Sequence, residues 1–279
     1  MVAVTLLWST AGVITRHLES ARSFEVTFWR AFFTAASLAV ALPLLRGRDV
    51  FLKMRHAGVF FWLSGACWSV MFTAFMLALT LTSVGNVLVT MSIGPLLTAV
   101  MARLFIGHRV ASRTWVAIIV AAVGIVYMYA SQIGDVTLLG TLVSLCVPIA
   151  GAANWTITQH SHDEGHDVDL MPAVAVGAVM SCAVTLPVAF PFQATAHDVG
   201  LLAFLGVFQL ALPCLLSVRC AQVLKAPELS LLQLLEVIFG ILLAWVGANE
   251  VPSNSILAGG ALVIGALVVN ELIGWRQRI

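Results

Sequence analysis

The sequence predicts an all-α membrane protein: ten transmembrane helices arranged as two inverted five-helix repeats. Three observations lead there. The chain is 61% hydrophobic and only 10% charged, with a mean hydropathy of +1.02, whereas soluble domains are about 45–50% apolar and about 25% charged. Its apolar stretches have the ~17–25 residues that a helix needs to cross ~30 Å of hydrocarbon, and no alternating short strands suggest a barrel. Finally, a weak copy of the last quarter lies 141 positions earlier.

The later copy runs from Leu234 to Leu272 and the earlier from Ser92 to Met128. Each is an apolar span, a polar hinge ending in Val-x-Ser (Val110 and Ser112; Val251 and Ser253), and a second span with a glycine (Gly124; Gly265). Leu88 with Leu229 and Gly65 with Gly206 keep that offset, Pro43 and Pro187 differ by 144, and Trp8 and Trp155 by 147. Duplicated sets of membrane spans are the usual construction of secondary transporters.

Residues 1–17, 24–45, 58–81, 83–105 and 114–131 read as the five spans of the first repeat, 1–131. The third and fourth are joined by only a few residues around Thr82–Asn86, and the fourth holds Gly94-Pro95. Residues 136–159, 170–192, 199–219, 227–247 and 254–275 read as the second repeat, 136–275. Five spans per repeat is an odd number, so the second unit enters the membrane in the opposite sense, and a pseudo-two-fold axis in the membrane plane relates the two.

Basic residues mark the cytoplasmic side. A cytoplasmic N-terminus puts Arg46, Arg48, Lys53, Arg55, Arg103, Arg109, Arg113, Arg219, Lys225, Arg276 and Arg278 inside and leaves only Arg16 and Arg22 outside. Both termini are therefore expected in the cytoplasm. The loop between the sixth and seventh spans has no basic residue, so its placement follows its neighbours. The first span begins at Met1 without a basic leader or cleavage site, which argues against a signal peptide.

Other classes find little support. A net charge of +1 without a large basic cluster gives no reason to expect nucleic acid. The five cysteines sit in or beside apolar spans without CxxC spacing and read as small buried hydrophobes. His160, His162, Asp163, Glu164, His166, Asp167 and Asp169 have a metal-binding composition but read as a solvated loop, so neither metal nor cofactor is expected. The seven histidines lie at span ends or in loops and no two carboxylates share a span centre, which disfavours an intramembrane enzyme. No filter motif suggests a channel.

The second copy resembles the EamA domain of the drug/metabolite transporter superfamily. The resemblance rests on Cys220 to Glu228, Leu234-Leu235-Glu236, Gly247 to Pro252 and the glycine-rich stretch Gly259 to Gly265, with Trp8-Ser9 similar to the family's Trp-Gly pair. Val237 stands where the family usually has proline, and the first repeat lacks the glutamate beside Gly94-Pro95. The resemblance implies ten helices and a carrier in the bacterial cytoplasmic membrane, most similar to amino-acid exporters and to aromatic ones in particular. Multidrug or cation, nucleoside and sugar-derivative carriers share the fold and remain the alternatives. Expected partners are a small-molecule substrate and the lipid bilayer, with the chain a monomer or homodimer.

Ionisable groups inside a membrane are costly and point to function. Arg30 either grips a carboxylate by paired hydrogen bonds or snorkels to headgroups. Glu236 either binds an ammonium or a coupled proton, or makes a structural hydrogen bond at a helix break. Trp68, Phe72 and Phe75, at i, i+4 and i+7, form one helical stripe. Trp8 and Trp155, followed by Ser9 and Thr156, hold corresponding positions and would converge on a midplane cavity. Asn86, Thr90, Asn154, Gln209 and Gln233 are candidate polar liners or helix-to-helix bonds. Pro95, Pro148 and Pro213 are candidate helix breakers, with Pro148 the better candidate for a simple kink.

Overall fold

A computed structural model describes residues 1–15, 17–82, 87, 90–107, 110–129, 138–163, 169–248 and 254–276. No strand occurs among the described residues. The first half comprises α1 (Val2–Thr15), α2 (Ser23–Arg46), a short α3 (Val50–Arg55), α4 (Val59–Leu81), α5 (Gly94–Ile106) and α6 (Ser112–Tyr129). The second comprises α7 (Leu138–Asp163), α8 (Ala173–Ala189), α9 (Ala196–Phe204), a π-helical stretch (Leu205–Ala211), α10 (Leu212–Ala221), α11 (Ala226–Gln233), α12 (Leu235–Ala248) and α13 (Asn254–Arg276).

Among the described residues Phe24–Arg46, Val59–Ala78, Leu138–Asp163 and Ala196–Ala221 are long and apolar enough to cross a membrane, and Val2–Thr15, Gly94–Ile106, Ser112–Tyr127, Ala173–Ala189 and Leu257–Asn270 are shorter apolar stretches. Three elements depart from the sequence reading. The fourth segment, read as 83–105, has a turn at Ser92–Ile93, and its helix begins at Gly94. The polar stretch after α2 holds the helix α3. The ninth segment is broken, because a turn at Leu234 separates α11 from α12 and places Gln233 and Glu236 on either side of it.

Local chemistry sets the helix ends. Gly107, at φ 66°, closes α5 in a left-handed conformation that glycine adopts without steric cost. Pro95 and Pro227 sit in the first turns of α5 and α11, where a missing N–H costs nothing. Pro213 explains the π-helical stretch before it. It cannot donate to the carbonyl of Gln209 four residues back and its ring crowds that group, so the winding widens and Leu212 N–H bonds to Val207 O instead.

Packing partners come in matched pairs. The α1–α12 contact has its counterpart in α7–α5, α4 on α8 has its counterpart in the π-helical stretch on α2, and α2–α8 and α6–α13 are their own counterparts. These pairs exchange when the halves are exchanged, whereas the packing of α2 on α4 has no counterpart of similar extent among the described residues. Close crossings use glycine. A Cβ on Gly177 would lie 2.4 Å from Trp68 Cβ, and one on Gly206 would lie 2.8 Å from Arg30 O. Gly65 faces Val176 at 2.8 Å in the same way, so Gly65 and Gly206 share a role as well as an offset. For Gly124 and Gly265 the shared offset carries no shared role: Gly124 meets Gly259 O at 2.8 Å, while Gly265 faces open space.

The ends of the bundle differ in chemistry. Away from the N-terminus, Glu25 and Asp198 are fully buried. Glu25 accepts the backbone N–H groups of Gln193 and Ala194 at 2.8–2.9 Å. Asp198 reciprocates, accepting those of Glu19, Ser20 and Ala21 at 2.8–3.1 Å, and forms a capping box with Thr195. At the N-terminal end the ion pairs Arg46–Asp169 (2.8 Å) and Lys225–Asp163 (3.1 Å) are partly exposed.

Candidate functional site

A cavity of about 150 Å³ lies in the middle of the bundle, where α1, α2, α4, α5, α7, the π-helical stretch, α10, α11 and α12 meet. Two helices set its shape. From α4, Trp68, Met71, Phe72 and Phe75 face it at i, i+3, i+4 and i+7, a bulky stripe. From α7, Pro148, Gly151, Ala152 and Trp155 face it at the same spacing, three small residues and then one large.

One cation and one anion line the wall. Arg30 is only 3% exposed and donates to the Phe72 carbonyl at 3.3 Å, joining α2 to α4. It faces the cavity instead of reaching toward the end of its helix. Glu236, at the start of α12, lines the same cavity and lies close enough to Arg30 for the two charges to interact.

Trp155 Nε1 donates to Gln233 Oε1 at 3.0 Å, tying α7 to α11, and stacks edge-on against Trp68 with centroids 5.6 Å apart. Gln209 Nε2 donates to the carbonyl of Trp8 at 3.2 Å, tying the π-helical stretch to α1. Two lining groups are left over: Trp68 Nε1 and Gln209 Oε1 are buried without a hydrogen-bond partner among the described residues. An unpaired buried donor or acceptor costs ~1–3 kcal/mol, a penalty that a ligand supplying the missing partner removes.

The structure thus brings Trp8, Arg30, Trp68, Phe72, Phe75, Trp155, Gln209, Gln233 and Glu236 to one cavity. It places Ser9, Thr90, Asn154 and Pro213 elsewhere. Ser9 Oγ is spent on Leu6 O at 2.7 Å, Asn154 Oδ1 accepts from Ser64 Oγ at 2.7 Å, Thr90 is buried off the cavity, and Pro213 acts through the helix it distorts. Asn86 lies outside the described residues. Sequence reasoning did not single out Met71, Met91, Gly151, Ala152, Cys214 and Ser230, which also line the cavity. The 148-151-152-155 spacing was the signal available for α7.

The histidine-containing loop is described only in part. Asp163 and Asp169 of the histidine-containing loop are ion-paired, while Glu164, His166 and Asp167 lie outside the described residues. Glu19, His197 and Asp198 come together, but the Asp198 carboxylate is engaged by backbone N–H groups. All five cysteines are free thiols.

The sequence pattern of the EamA-like transporter family matches residues 1–130 and 138–271, two consecutive copies over nearly the whole chain. No curated protein matches it. A solved structure, described only as the crystal structure of a protein, aligns over 99% of this chain and 96% of its own with a TM-score of 0.78. At 17% identity that likeness is one of fold.

Proposed function

The chain belongs to the EamA-like transporter family of small-molecule membrane carriers, and from that premise we propose that it exports net-neutral zwitterions, aromatic and other neutral amino acids above all, by alternating access. The observation that carries this reading is the composition of the cavity wall. One guanidinium, one carboxylate, an unpaired indole N–H and an unpaired amide oxygen stand among aromatic and methionine side chains. An α-amino acid matches that set: its carboxylate suits Arg30 and Trp68 Nε1–H, its ammonium suits Glu236 and Gln209 Oε1, and its side chain suits the apolar wall. The size agrees, since ~150 Å³ is well below the ~300–1,000 Å³ of pockets for drug-sized ligands.

In this reading the two halves are inverted five-span repeats in a bacterial cytoplasmic membrane, with both termini inside. The matched packing pairs support the exchange of conformations between halves that alternating access needs. An organic cation fits less well, because buried Arg30 repels it.

Binding measured on purified protein tests this. Arg30→Gln is expected to weaken phenylalanine binding about 10–100-fold, the worth of one or two charge-assisted hydrogen bonds, and to leave the decarboxylated amine as well bound or better. Unchanged phenylalanine affinity in a folded Arg30→Gln protein would remove Arg30 from the site.

A further inference from the structure

We propose that Gly151 and Met71 together set the size of the side chain that the cavity accepts, an inference that rests on the amino-acid reading above. Two kinds of helical glycine stand out among the described residues. At Gly65, Gly177, Gly206 and Gly124 an added Cβ would come within 2.4–2.8 Å of a neighbouring helix, so packing itself demands glycine. At Gly151 the Cβ would meet only Met71 Sδ, at 3.5 Å, an ordinary contact with the end of a flexible side chain.

Gly151 is therefore a mid-helix glycine that packing does not require, at a position where alanine would favour the helix by ~1 kcal/mol. What its bare Cα supplies is room, opposite the bulky stripe of α4 and one turn from Trp155. Met71 is the side chain that reaches into that room. Methionine is unbranched and polarisable and refills a gap in many rotamers. A small cargo leaves Met71 over Gly151, whereas a large aromatic or branched cargo takes that space and displaces it. The pair is an adjustable subsite, consistent with one carrier accepting neutral side chains of several sizes.

The two partners predict opposite shifts. The measurement is the ratio of alanine to tryptophan dissociation constants in wild type, Gly151→Ala, Met71→Ala and Gly240→Ala. Gly240 lies on α12 off the cavity with open space around its Cβ position, so its variant controls for helix propensity. One methyl group in a fitted pocket changes discrimination about 10–200-fold. Gly151→Ala should therefore weaken tryptophan relative to alanine at least tenfold, Met71→Ala should shift the ratio the other way, and Gly240→Ala should leave it unchanged. Equal weakening of both ligands by Gly151→Ala, an unaltered ratio, or shifts of the same sign in the two variants would overturn the subsite while leaving the amino-acid reading standing. Wild-type protein that binds no amino acid would remove both.

Discussion

Replacing Trp68 by phenylalanine separates a ligand-binding indole from a structural one, because Trp155 offers the matched comparison. Both are buried and their rings touch edge-on, so either substitution loses a similar volume, worth roughly 1–2 kcal/mol of packing. Their N–H groups differ. Trp155 Nε1 is bonded to Gln233, so Trp155→Phe also forfeits ~1 kcal/mol of hydrogen bond and leaves Gln233 Oε1 unpaired, for a total of roughly 2–4 kcal/mol. Trp68 Nε1 has no partner among the described residues. Trp68→Phe therefore deletes an unsatisfied donor, and the ~1–3 kcal/mol recovered offsets the lost packing. At roughly 2–4 °C per kcal/mol, Trp155→Phe should lower Tm by about 5–10 °C and Trp68→Phe by less than about 3 °C. Binding has a different signature. If Trp68 donates to a carboxylate, its loss weakens phenylalanine about 10–100-fold and leaves phenethylamine, which lacks that group, nearly unaffected. Thermal unfolding in detergent and calorimetric titration with both ligands read the two effects. A Trp68→Phe protein as destabilised as Trp155→Phe, with its preference for phenylalanine over phenethylamine intact, would refute the assignment.

Other consequences concern the scaffold. Gly177→Ala drives a Cβ to 2.4 Å from Trp68 Cβ, and the forced separation of α4 and α8 should cost ~1–3 kcal/mol, read as a fall in Tm that Gly240→Ala does not produce. Asp198→Ala strands the backbone N–H groups of Glu19, Ser20 and Ala21 and should lower Tm by about 5–10 °C. Glu25→Gln, which keeps one acceptor for Gln193 and Ala194, should do less. The partly exposed Arg46–Asp169 pair is worth at most ~1 kcal/mol, so a double-mutant cycle to alanine should give a small coupling energy that shrinks with added salt.

The sequence revealed most where periodicity and repetition coincide. Trp8 and Trp155, paired by position in the sequence, both reach the cavity. The 68-72-75 spacing marked one face of α4 because aromatic residues at helical intervals are visible as a stripe. Its fourth member Met71, and the small residues of α7, were not legible in the same way. In a chain this apolar, a glycine or alanine facing a cavity looks like one facing another helix, and only a Cβ placed on the backbone separates Gly151 from Gly177. Polarity was a weaker guide, since Ser9 bonds within its own helix and Asn154 accepts from Ser64 away from the cavity, its Nδ2 buried without a partner among the described residues. Glu25 and Asp198 went unmarked because they sit beside loops, although Thr195-x-x-Asp198 has the spacing of a capping box. The break at Leu234 and the winding before Pro213 follow from local backbone bonding that hydropathy does not encode.

Uptake into proteoliposomes holding the purified protein tests the central claim most directly, with labelled phenylalanine, leucine and alanine beside phenethylamine as an organic cation. Saturable uptake of the amino acids, competed by one another, weakened by Arg30→Gln and by Trp68→Phe, and absent for phenethylamine, is the expected result. Folded protein that moves phenethylamine and none of the amino acids would contradict the account and assign the cavity to cations.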